Sequence, residues 1–340
     1  MKRKELFAQL FPDEPAFRYG QVLTGLFDPK ITRFDEITTL SQGLRDRLQE
    51  SVAFFSFDNV QVLNSKISLT QKAIVTLRDG RQIETVLMQG KNGRRTICVS
   101  SQVGCAMRCG FCATGRMGFT RNLSEDEIVD QFRFWQKRLD NERISNVVFM
   151  GMGEPLANYE AVKSAINRWL KYTDIGHNHI TVSTVGHLAN IERILNDKDW
   201  PHVRLAISLH SADAATRKEI VPTSHALFLE KLAALAKQYL HKFGNRKHHL
   251  TFEYVMLKNV NDTQMQAEKL AKYVNHIGKI KVNLIPYNLT DNEYQRSENT
   301  AIDRFKSLLE EAGVTCTVRK TMGEDIAAAC GQLIKLGAKK

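Results

Sequence analysis

Three closely spaced cysteines are the residues of this chain whose types and spacing could do chemistry. Cys105, Cys109 and Cys112 follow the pattern C-x3-C-x2-C in the stretch CVSSQVGCAMRCGFCATG, and Cys98 lies seven residues upstream of the first. Thiolates at this spacing bind zinc or an iron–sulfur cluster. A structural zinc site needs four ligands, usually from two paired knuckles, and the sequence contains no second C-x2-C. A cubane cluster also takes four ligands, so three cysteines leave one iron open to a substrate.

An open iron of this kind suits S-adenosylmethionine, which chelates a metal through its amino and carboxylate groups. An electron from the cluster then breaks a sulfonium–carbon bond homolytically and produces a 5′-deoxyadenosyl radical. The spacing, with the aromatic Phe111 directly before Cys112, resembles the signature of the radical S-adenosylmethionine (radical SAM) superfamily. An isolated zinc site and three incidental thiols are the alternatives.

A glycine-rich turn with one acid, GMGEP from Gly151 to Pro155, follows the next predicted strand. Glycine lets the backbone approach a ligand closely because it has no side chain to obstruct the approach. Glu154 is an acceptor suited to an ammonium group. Taken alone, a segment of this composition is usually just a turn. One strand–helix unit after the cysteines, it resembles the superfamily segment, here with Gly153 and Glu154, that hydrogen-bonds the methionyl amino group.

Alternating strand and helix patterns are the elements that must position these residues. From ICVSSQV to VTCTVRK the two alternate about six times, which predicts parallel strands joined by crossover helices. We expect an α/β fold, a partial (β/α)6 TIM-like barrel of the radical SAM type, with a doubly wound open sheet as the alternative. In a barrel the chemistry lies at the C-terminal ends of the strands, where the cysteines, GMGEP, the end of SLH and PYN all fall.

Two smaller parts precede the predicted barrel, and a short tail follows it. In chain order the predicted parts are a helical accessory RNA-binding domain (1–66), a β-hairpin extension (67–97), the barrel (98–334) and a basic tail (335–340). The hairpin is indicated by two extended runs around Asp79-Gly80. The barrel includes a C-terminal loop that carries Cys330.

The composition is that of a basic globular chain. Of 340 residues, 43% are hydrophobic and 25% charged, which is ordinary for a protein with a sizeable core. The net charge of +11 favours a polyanionic partner such as nucleic acid, although a basic charge can also serve solubility alone. No apolar run approaches a membrane span and the N-terminus has no secretory signal pattern, so we expect a cytoplasmic protein without a membrane partner.

Several motifs in order, between about Glu84 and Leu333, resemble one family. They are the cysteine stretch and the segments GFTRNL, VVFMGMGEPLAN, AISLH, EYVMLKNVND, VNLIPYN and DIAAACGQL. Together they are similar to the RlmN/Cfr family of radical adenine methyltransferases, which act on large-subunit ribosomal RNA. The resemblance implies a [4Fe–4S] cluster bound by Cys105, Cys109 and Cys112, and two molecules of S-adenosylmethionine per turnover.

The chemistry of adenine explains the mechanism that the resemblance implies. Carbons 2 and 8 are poor nucleophiles, so polar transfer of a sulfonium methyl group fails. In the family one S-adenosylmethionine methylates a cysteine, and the radical from the other takes a hydrogen from that methyl group. The thiomethylene radical then adds to the ring and leaves a covalent enzyme–RNA adduct.

Three residues of this chain match the family positions for these steps. Cys330 matches the methyl-carrying cysteine, and Cys98 matches the cysteine that attacks it to release the product and leave a disulfide. Glu84 matches the base that takes the proton of the adduct. Each also has a structural interpretation: Cys98 as a small core residue, Cys330 as a packing residue, and Glu84 as a solvated hairpin carboxylate. Cys316, in VTCTV, alternates as a strand residue does and is expected in the core.

The resemblance also implies cofactor contacts at the ends of predicted strands. Besides Gly153 and Glu154, the matching positions are Ser183, Ser208, Leu209, His210 and Asn288. A hydroxyl and an amide can read the edges of ribose and adenine. His210 could instead be a hydrogen-bonded structural histidine, and no acid or base role is assigned to it.

Basic segments are the candidates for contacts with RNA phosphates. They are Lys242–Leu250, Arg319-Lys320 and the tail Lys339-Lys340. Each could equally be a solvated face. The N-terminal helical region resembles the family's accessory RNA-binding domain only loosely.

The sequence therefore predicts a monomeric enzyme that methylates carbon 2 of an adenosine in 23S ribosomal RNA, near the peptidyl transferase centre. Family members often also modify an adenosine in the tRNA anticodon loop. The implied partners are an electron donor such as flavodoxin or ferredoxin and a thiol reductant.

Three alternatives to this function stay open. The first is methylation of carbon 8, which confers antibiotic resistance. Pro155 in GEPL favours carbon 2, since alanine there is associated with the resistance branch, whereas the opening EPAFRYGQ is similar to that branch. The second is a zinc-stabilised RNA-binding protein without catalysis, and the third is a radical enzyme that acts on a small molecule.

Overall fold

The computed structural model describes residues 3–90, 92–139, 142–244, 249–290 and 292–333. Its α-helices are α1 (Arg3–Leu10), α2 (Phe17–Phe27), α3 (Gln42–Ser51), α4 (Ala113–Arg116), α5 (Glu125–Arg138), α6 (Tyr159–Tyr172), α7 (Leu188–Asn196), α8 (Ala214–Ile220), α9 (Phe228–Phe243), α10 (Gln264–Ile277) and α11 (Asn299–Glu311). Its strands are β1 (Phe57–Asn64), β2 (Thr70–Leu77), β3 (Gln82–Gln89), β4 (Arg95–Cys98), β5 (Gln102–Gly104), β6 (Phe119–Asn122), β7 (Asn146–Phe149), β8 (Ile180–Thr184), β9 (Arg204–Ser208), β10 (Leu250–Met256), β11 (Lys281–Pro286) and β12 (Cys316–Val318).

Ten of these strands form one sheet in the order β1-β2-β3-β4-β7-β8-β9-β10-β11-β12. From β4 to β12 all neighbouring strands are parallel, and the helices from α5 to α11 lie between them in the chain. The parallel strands follow one another in chain order, without the reversal of order that marks a doubly wound sheet. The predicted α/β fold is confirmed, and its strand order is that of a barrel.

The parallel part of the sheet is curved. One cavity is lined by residues from the ends of five strands, namely Phe149, Ser183, Ser208, Val255 and Pro286. Neighbouring strands are about 4.8 Å apart, so β7 and β11 would be about 19 Å apart in a flat sheet. Side chains at that separation share one cavity only when the strands bend around it. Since β1 and β12 are edges of the sheet in the described ranges, the barrel is partial.

The antiparallel strands β1, β2 and β3 extend the parallel part of the sheet beyond β4. β2 and β3 pair as the predicted hairpin, with Gly80 at φ +76° in the turn, and β3 pairs directly with β4. The extension is thus continuous with the barrel sheet. Residues 57–64 correct one expectation, because they lie in the segment predicted as helical but form β1. Val60 and Val62 alternate with more exposed residues there and pack against the main core.

The N-terminal helices α1, α2 and α3 have an apolar core of their own, distinct from the core beside the sheet. Buried ion pairs attach this part to α5, where Arg3 contacts Asp126 at 3.1 Å and Asp130 at 2.8 Å. α5 begins at a capping box, in which the side chains of Ser124 and Glu127 accept each other's backbone N–H groups. No helix within the described residues is long and apolar enough to cross a membrane.

Candidate active site

The main cavity has a volume of about 890 Å³, part of it open to solvent, and lies at the carboxyl ends of the parallel strands. Three groups of residues line it: the loop of closely spaced cysteines, the ends of β7 to β11 with their following turns, and the C-terminal loop around Cys330. Segments from distant parts of the sequence meet there because parallel strands end at one edge of the sheet. This cavity is the candidate active site.

The cysteines Cys105, Cys109 and Cys112 line one side of the main cavity, in the loop between β5 and α4. Burial raises the pKa of the Cys105 thiol to about 12. Burial, together with the neighbouring thiols of Cys112 and Cys105, also raises the pKa of Cys109. Thiols in such surroundings become thiolates when a metal displaces the proton.

The donor set fits an iron–sulfur cluster better than a single metal ion. In the described part of the chain, no three His, Cys, Asp or Glu side chains converge closely enough to hold one ion. The protein ligands of a [4Fe–4S] cubane bind different irons, so they surround the cluster instead of meeting at one atom. Cys105, Cys109 and Cys112 provide three ligands of the kind that such a cluster takes, one fewer than its four irons.

A buried cation lies beside the cysteines. The guanidinium of Arg217, on α8, donates to the carbonyl oxygens of Leu209 at 3.0 Å and Val185 at 2.6 Å, and its charge acts on Cys109. Burial lowers the Arg217 pKa to about 10. Its positive charge offsets the negative charge that thiolates bring to the cavity. Sequence reasoning missed Arg217, since the segment TRKE is typical of an exposed helix surface.

Gly153 and Glu154 lie in the turn after β7, and both line the main cavity. Gly153 has φ +100°, and a Cβ atom there would lie 2.5 Å from Cβ of Gln102, so the turn requires glycine. The buried Glu154 carboxylate accepts the backbone N–H groups of Leu156 at 3.0 Å and Val185 at 2.8 Å. Burial raises the pKa of this carboxyl group. The Thr184 side chain also hydrogen-bonds this carboxylate, so of its roughly four acceptor positions about one remains for an ammonium group in the cavity.

Ser183 and Ser208 line the cavity at the ends of β8 and β9, with their hydroxyl oxygens 3.4 Å apart. His210 follows at φ +59°, and its Nδ1 accepts the backbone N–H of Val255 at 3.1 Å. Burial lowers the His210 pKa to about 3, so the ring is neutral near pH 7. The Leu209 side chain is buried in the core and does not line the main cavity.

Asn288 lies in the turn after β11, between the main cavity and the C-terminal loop. Its Nδ2 donates to the carbonyl oxygen of Cys330 at 3.0 Å, and its Oδ1 accepts from Thr321 Oγ1 at 2.9 Å. The same loop contacts the cysteine loop, where the Ala113 N–H donates to the carbonyl oxygen of Gly331 at 2.8 Å. The resemblance assigns Asn288 to the cofactor, whereas here its polar atoms hold the loop that carries Cys330.

Cys330 is exposed at the junction of two cavities. It lines the main cavity with the three clustered cysteines, and a second cavity of about 650 Å³ with Cys98. Cys98, the last residue of β4, is buried, and burial followed by the proximity of Cys330 raises its pKa. All six cysteines are free thiols, so the disulfide between these two stays a prediction. Cys316 is buried in β12, as expected of a core residue.

Glu84 does not line either cavity. It lies within β3, 1% exposed, and its Oε1 atom is 3.2 Å from Nζ of the equally buried Lys72 on β2. The interpretation of Glu84 as a solvated hairpin carboxylate is therefore wrong. The Lys72 ammonium also donates to the carbonyl oxygen of Ala327 at 3.2 Å, which connects this ion pair to the Cys330 loop. The role of Glu84 as a base stays a prediction.

Two charged residues of the site were not recognised from the sequence. The sequence analysis named Arg319, together with Lys320, as a candidate for contacts with RNA phosphates. In the structure Arg319 lines the second cavity, and its Nε atom lies 3.3 Å from Oε2 of Glu253. Glu253, on β10, is 2% exposed and lines the main cavity. The available signal was an acid inside the otherwise apolar strand LTFEYVM.

The segments predicted to contact RNA are only partly described. Of Lys242–Leu250, residues 245–248 lie outside the described residues, and so do Lys339 and Lys340. The Lys242 ammonium donates to the carbonyl oxygen of Leu195. RNA contacts by these segments stay predictions.

Comparison with known proteins identifies the class to which this fold and cavity belong. The sequence profile of the Radical SAM superfamily matches residues 99–271, about half of the chain. The crystal structure of a radical SAM methyltransferase from Sphaerobacter thermophilus is similar with a TM-score of 0.88 and 36% sequence identity, over 97% of this chain and 96% of that one. The chain is therefore a radical SAM enzyme.

Curated relatives match nearly the whole chain. A probable dual-specificity RNA methyltransferase RlmN from Dictyoglomus thermophilum is 42% identical, over 96% of this chain and 92% of the relative. A dual-specificity RNA methyltransferase RlmN from Alkalilimnicola ehrlichii is also 42% identical, over 97% of this chain and 91% of the relative. Within the radical SAM superfamily, the chain belongs to the RlmN family of dual-specificity RNA methyltransferases.

Proposed function

We propose that this chain methylates carbon 2 of an adenosine in 23S ribosomal RNA, and also an adenosine in the anticodon loop of tRNA. The position of Cys330 carries the proposal, because its exposed side chain lines both the cavity of the clustered cysteines and the cavity of Cys98. The description of the relatives as dual-specificity RNA methyltransferases supports an RNA substrate. The net charge of +11 agrees with a polyanionic partner.

The residues of the main cavity hold the cofactors in this proposal. Cys105, Cys109 and Cys112 bind a [4Fe–4S] cluster, and Glu154 accepts a hydrogen bond from the amino group of S-adenosylmethionine. The hydroxyl groups at the ends of β8 and β9 bind its polar edges. When bound, the cluster supplies the electron that cleaves S-adenosylmethionine into methionine and a 5′-deoxyadenosyl radical.

The two cysteines of the second cavity carry the methyl group and release the product. Cys330 accepts the methyl group on its sulfur, since it is the exposed thiol beside the cofactor residues. A hydrogen atom passes from that methyl group to the 5′-deoxyadenosyl radical, and the carbon radical left on Cys330 bonds to the adenine ring. The adduct then gives up one electron to the oxidised cluster and the ring proton to a base. The thiolate of Cys98 bonds to the sulfur of Cys330, the sulfur–carbon bond breaks, and its electron pair takes up a proton at the carbon, which releases the methylated base and leaves a disulfide. Two molecules of S-adenosylmethionine are consumed, one for each role.

Glu84 is the proposed acceptor of the proton that the adduct loses. The backbone of Glu84 contacts the turn that bears the cofactor residues, since its N–H donates to Sδ of Met152 at 3.3 Å. Its carbonyl oxygen accepts from Oγ of Ser100 at 2.6 Å, and the same hydroxyl accepts the Met152 N–H at 2.9 Å. These contacts support a position of Glu84 beneath the main cavity.

Pro155 supports carbon 2 over carbon 8 as the methylated atom. It begins the 3-10 helix Pro155–Asn158 directly after Glu154. Proline at this first helical position has a pre-set φ angle, which restricts the turn that bears Glu154 more than alanine would. The RlmN relatives also support the carbon 2 branch.

We further propose that the enzyme acts as a monomer in the cytoplasm. A one-electron donor such as flavodoxin or ferredoxin reduces the cluster. A thiol reductant reopens the Cys98–Cys330 disulfide before the next turnover.

Nucleoside mass spectrometry on RNA tests the proposed function. The cluster is reconstituted anaerobically, and the enzyme is incubated with a reductant, methyl-labelled S-adenosylmethionine and unmodified 23S RNA or tRNA. The digests are compared with 2-methyladenosine and 8-methyladenosine standards. We expect label in 2-methyladenosine from both RNAs.

Matched cysteine variants separate the proposed reaction from a nonspecific one. C330A should place no label in RNA, whereas C316A, which removes a buried cysteine outside both cavities, should label RNA as the wild type does. Label in 8-methyladenosine would make this a carbon 8 enzyme. Cleavage of S-adenosylmethionine without label in either nucleoside would leave the radical chemistry standing and exclude the RNA substrate.

A further inference from the structure

The second cavity is bounded by the sheet face that carries two residues of the last steps of the proposed reaction. Cys98 lines this cavity, and its register partner Val86 lies on the same face of β3 as Met88, which also lines it. Glu84 lies on that face as well, because alternate residues of a strand share one face. The thiol that releases the product and the proposed base are therefore grouped on one side of the second cavity.

The main and second cavities share one wall, which includes Met150, Pro286, Asn288 and Cys330. Of the two cavities, Cys98 lines only the second, whereas the three clustered cysteines line only the main one. In the proposed reaction the adenine is bonded through one carbon to the sulfur of Cys330 when Cys98 attacks that sulfur. Since the cofactor residues line the main cavity, the place left for the ring is the side of Cys98.

The apolar lining of the second cavity suits a flat aromatic ring. The cavity has a volume of about 650 Å³, part of it open to solvent, which is within the usual range of small-molecule sites. The thioethers of Met88, Met150 and Met322 line it, and polarisable sulfur makes favourable contacts with aromatic rings. Val148 and Ile285 contribute further apolar surface.

Two polar side chains of the second cavity can meet the edge of an adenine ring. Nη1 of Arg319 donates to Sδ of Met150 at 3.2 Å, and a thioether is a weak acceptor that a ring nitrogen can replace. The Thr321 hydroxyl donates to Oδ1 of Asn288 at 2.9 Å, so its own lone pairs can accept the exocyclic amino group. A donor for a ring nitrogen and an acceptor for an amino group together match the pattern that adenine presents. The exposed Lys320, which lines the same cavity, suits a neighbouring phosphate.

We propose that the second cavity is the binding site of the target adenine, with the base turned out of the RNA stack and lying between Cys98 and Cys330. This inference rests on the proposed function and names the site of its substrate. Enzymes that modify a base reach its ring atoms by extruding it from the stack into a pocket. Cys330, at the junction of the cavities, then has the cofactor on one side and the base on the other.

Side chains that fill the second cavity test the proposal. M88W fills it from the sheet and M322W fills it from the C-terminal loop, and both positions are half-buried. Cluster-loaded enzyme is first incubated with methyl-labelled S-adenosylmethionine alone, and the label on the Cys330 peptide is measured by mass spectrometry. After removal of the free label, a reductant, unlabelled S-adenosylmethionine and unmodified 23S RNA are added, and the label in RNA is followed over time.

Both filled variants should methylate Cys330 as the wild type does and retain its iron content, since these properties belong to the main cavity. Transfer of the label to RNA should be slower by about tenfold or more, because a base displaced by about 1 Å loses its reactive geometry. RNA affinity, measured by filter binding, should stay close to that of the wild type, since phosphate contacts dominate it. M265W, which changes an exposed methionine of α10, is the matched control and should transfer the label normally.

The outcomes separate this inference from the proposed function. Transfer at the wild-type rate by either filled variant overturns the inference. Loss of Cys330 methylation in both filled variants also overturns it, because the first step would then need the same space. Wild-type enzyme that methylates Cys330 but places no label in RNA would overturn the proposed substrate, and the site proposed for its base with it.

Discussion

Asn288 holds the loop that carries Cys330, since its Nδ2 donates to the Cys330 carbonyl oxygen at 3.0 Å. Asp325, in the same loop, contacts the turn after β1 at the other end of the sheet. Its carboxylate accepts hydrogen bonds from the Ser65 hydroxyl group and from the N–H of Lys66, both at 2.7 Å. The turn after β11 and the turn after β1 therefore fix the loop together. Its position at the junction of two cavities results from contacts on both sides of the barrel opening.

Replacing Asn288 by alanine should slow methylation of Cys330. The variant loses hydrogen bonds to the Cys330 carbonyl and to Thr321, each of which stabilises the loop by about 1 kcal/mol. We expect about a tenfold lower rate of methyl transfer, measured from the mass of the Cys330 peptide. N275A is the matched control, because Asn275 donates a similar bond to the Ala312 carbonyl, away from the site. Equal rates in N288A and N275A would contradict the prediction.

Replacing only one member of the buried ion pair of Lys72 and Glu84 should destabilise the protein strongly. Both side chains are at most 1% exposed, so K72M leaves a buried carboxylate without this partner. We expect the free energy of unfolding in urea to fall by about 3 kcal/mol, and the double variant K72M/E84M to recover most of the loss. K258M, which breaks an exposed pair with Glu298, should leave stability nearly unchanged. A double variant as unstable as K72M would argue against this account.

Alanine at position 153 should weaken cofactor binding more than alanine at a comparable open glycine. Gly153 has φ +100° and a Cβ there would lie 2.5 Å from the Gln102 side chain, whose Oε1 accepts the Glu154 N–H. A Cβ at Gly313, which has φ +78°, would enter space that is open to 4 Å among the described residues, so G313A tests backbone strain alone. We expect at least tenfold weaker binding of S-adenosylmethionine by calorimetry in G153A only. Equal affinities would show that the turn adapts.

The free energy of unfolding should decrease at acid pH because of His210. Its pKa is lowered by burial to about 3, while the ring titrates near 6.5 in the unfolded chain. Between these values only the unfolded chain gains the proton. This contribution is complete above about pH 6.5 and is lost towards pH 3, by about 1.4 kcal/mol per pH unit. H210N suits φ +59° and should remove that slope in urea unfolding at several pH values. Parallel pH dependences of the two proteins would refute this.

Loss of one clustered cysteine should remove the metal centre. C109A takes away one of three thiols that line the main cavity, so we expect less iron and sulfide and weaker absorption near about 400 nm after anaerobic reconstitution. C316A, which removes a buried cysteine of β12, is the matched control and should bind iron as the wild type does. Zinc without sulfide in the wild-type protein would instead support a structural metal site.

Local sequence patterns were sufficient to predict those elements whose structure depends on a few neighbouring residues. The Asp79-Gly80 turn predicts the β2–β3 hairpin, because the glycine takes the positive φ, here +76°, that a tight hairpin loop requires. Strand and helix periodicities likewise predict the parallel sheet. The prediction that residues 57–64 are helical was wrong. Apolar and polar residues alternate only weakly in this segment, and it forms a strand because β2 supplies the partners for its backbone hydrogen bonds.

Charged residues at the site were the hardest to predict. Arg217 and Arg319 carry no local sign of burial, since each sits in a segment that a surface residue could occupy equally well, and the sign at Glu253 was limited to the mostly apolar strand around it. Their surroundings come from strands and loops that are distant in the chain, such as the contact of Arg319 with Glu253. Asn288 is similar, because its partners Thr321 and Cys330 lie in a loop that follows the last strand of the sheet.

The sequence by itself determined the fold class and the cysteine chemistry of this protein. Ligand type and spacing are local properties, and Cys105, Cys109 and Cys112 share one short loop. Only the tertiary structure decided that Cys330 lies between that loop and Cys98, at the junction of two cavities. Curvature of the sheet and the contacts of the C-terminal loop create this arrangement, and neither is encoded in the spacing of any one motif.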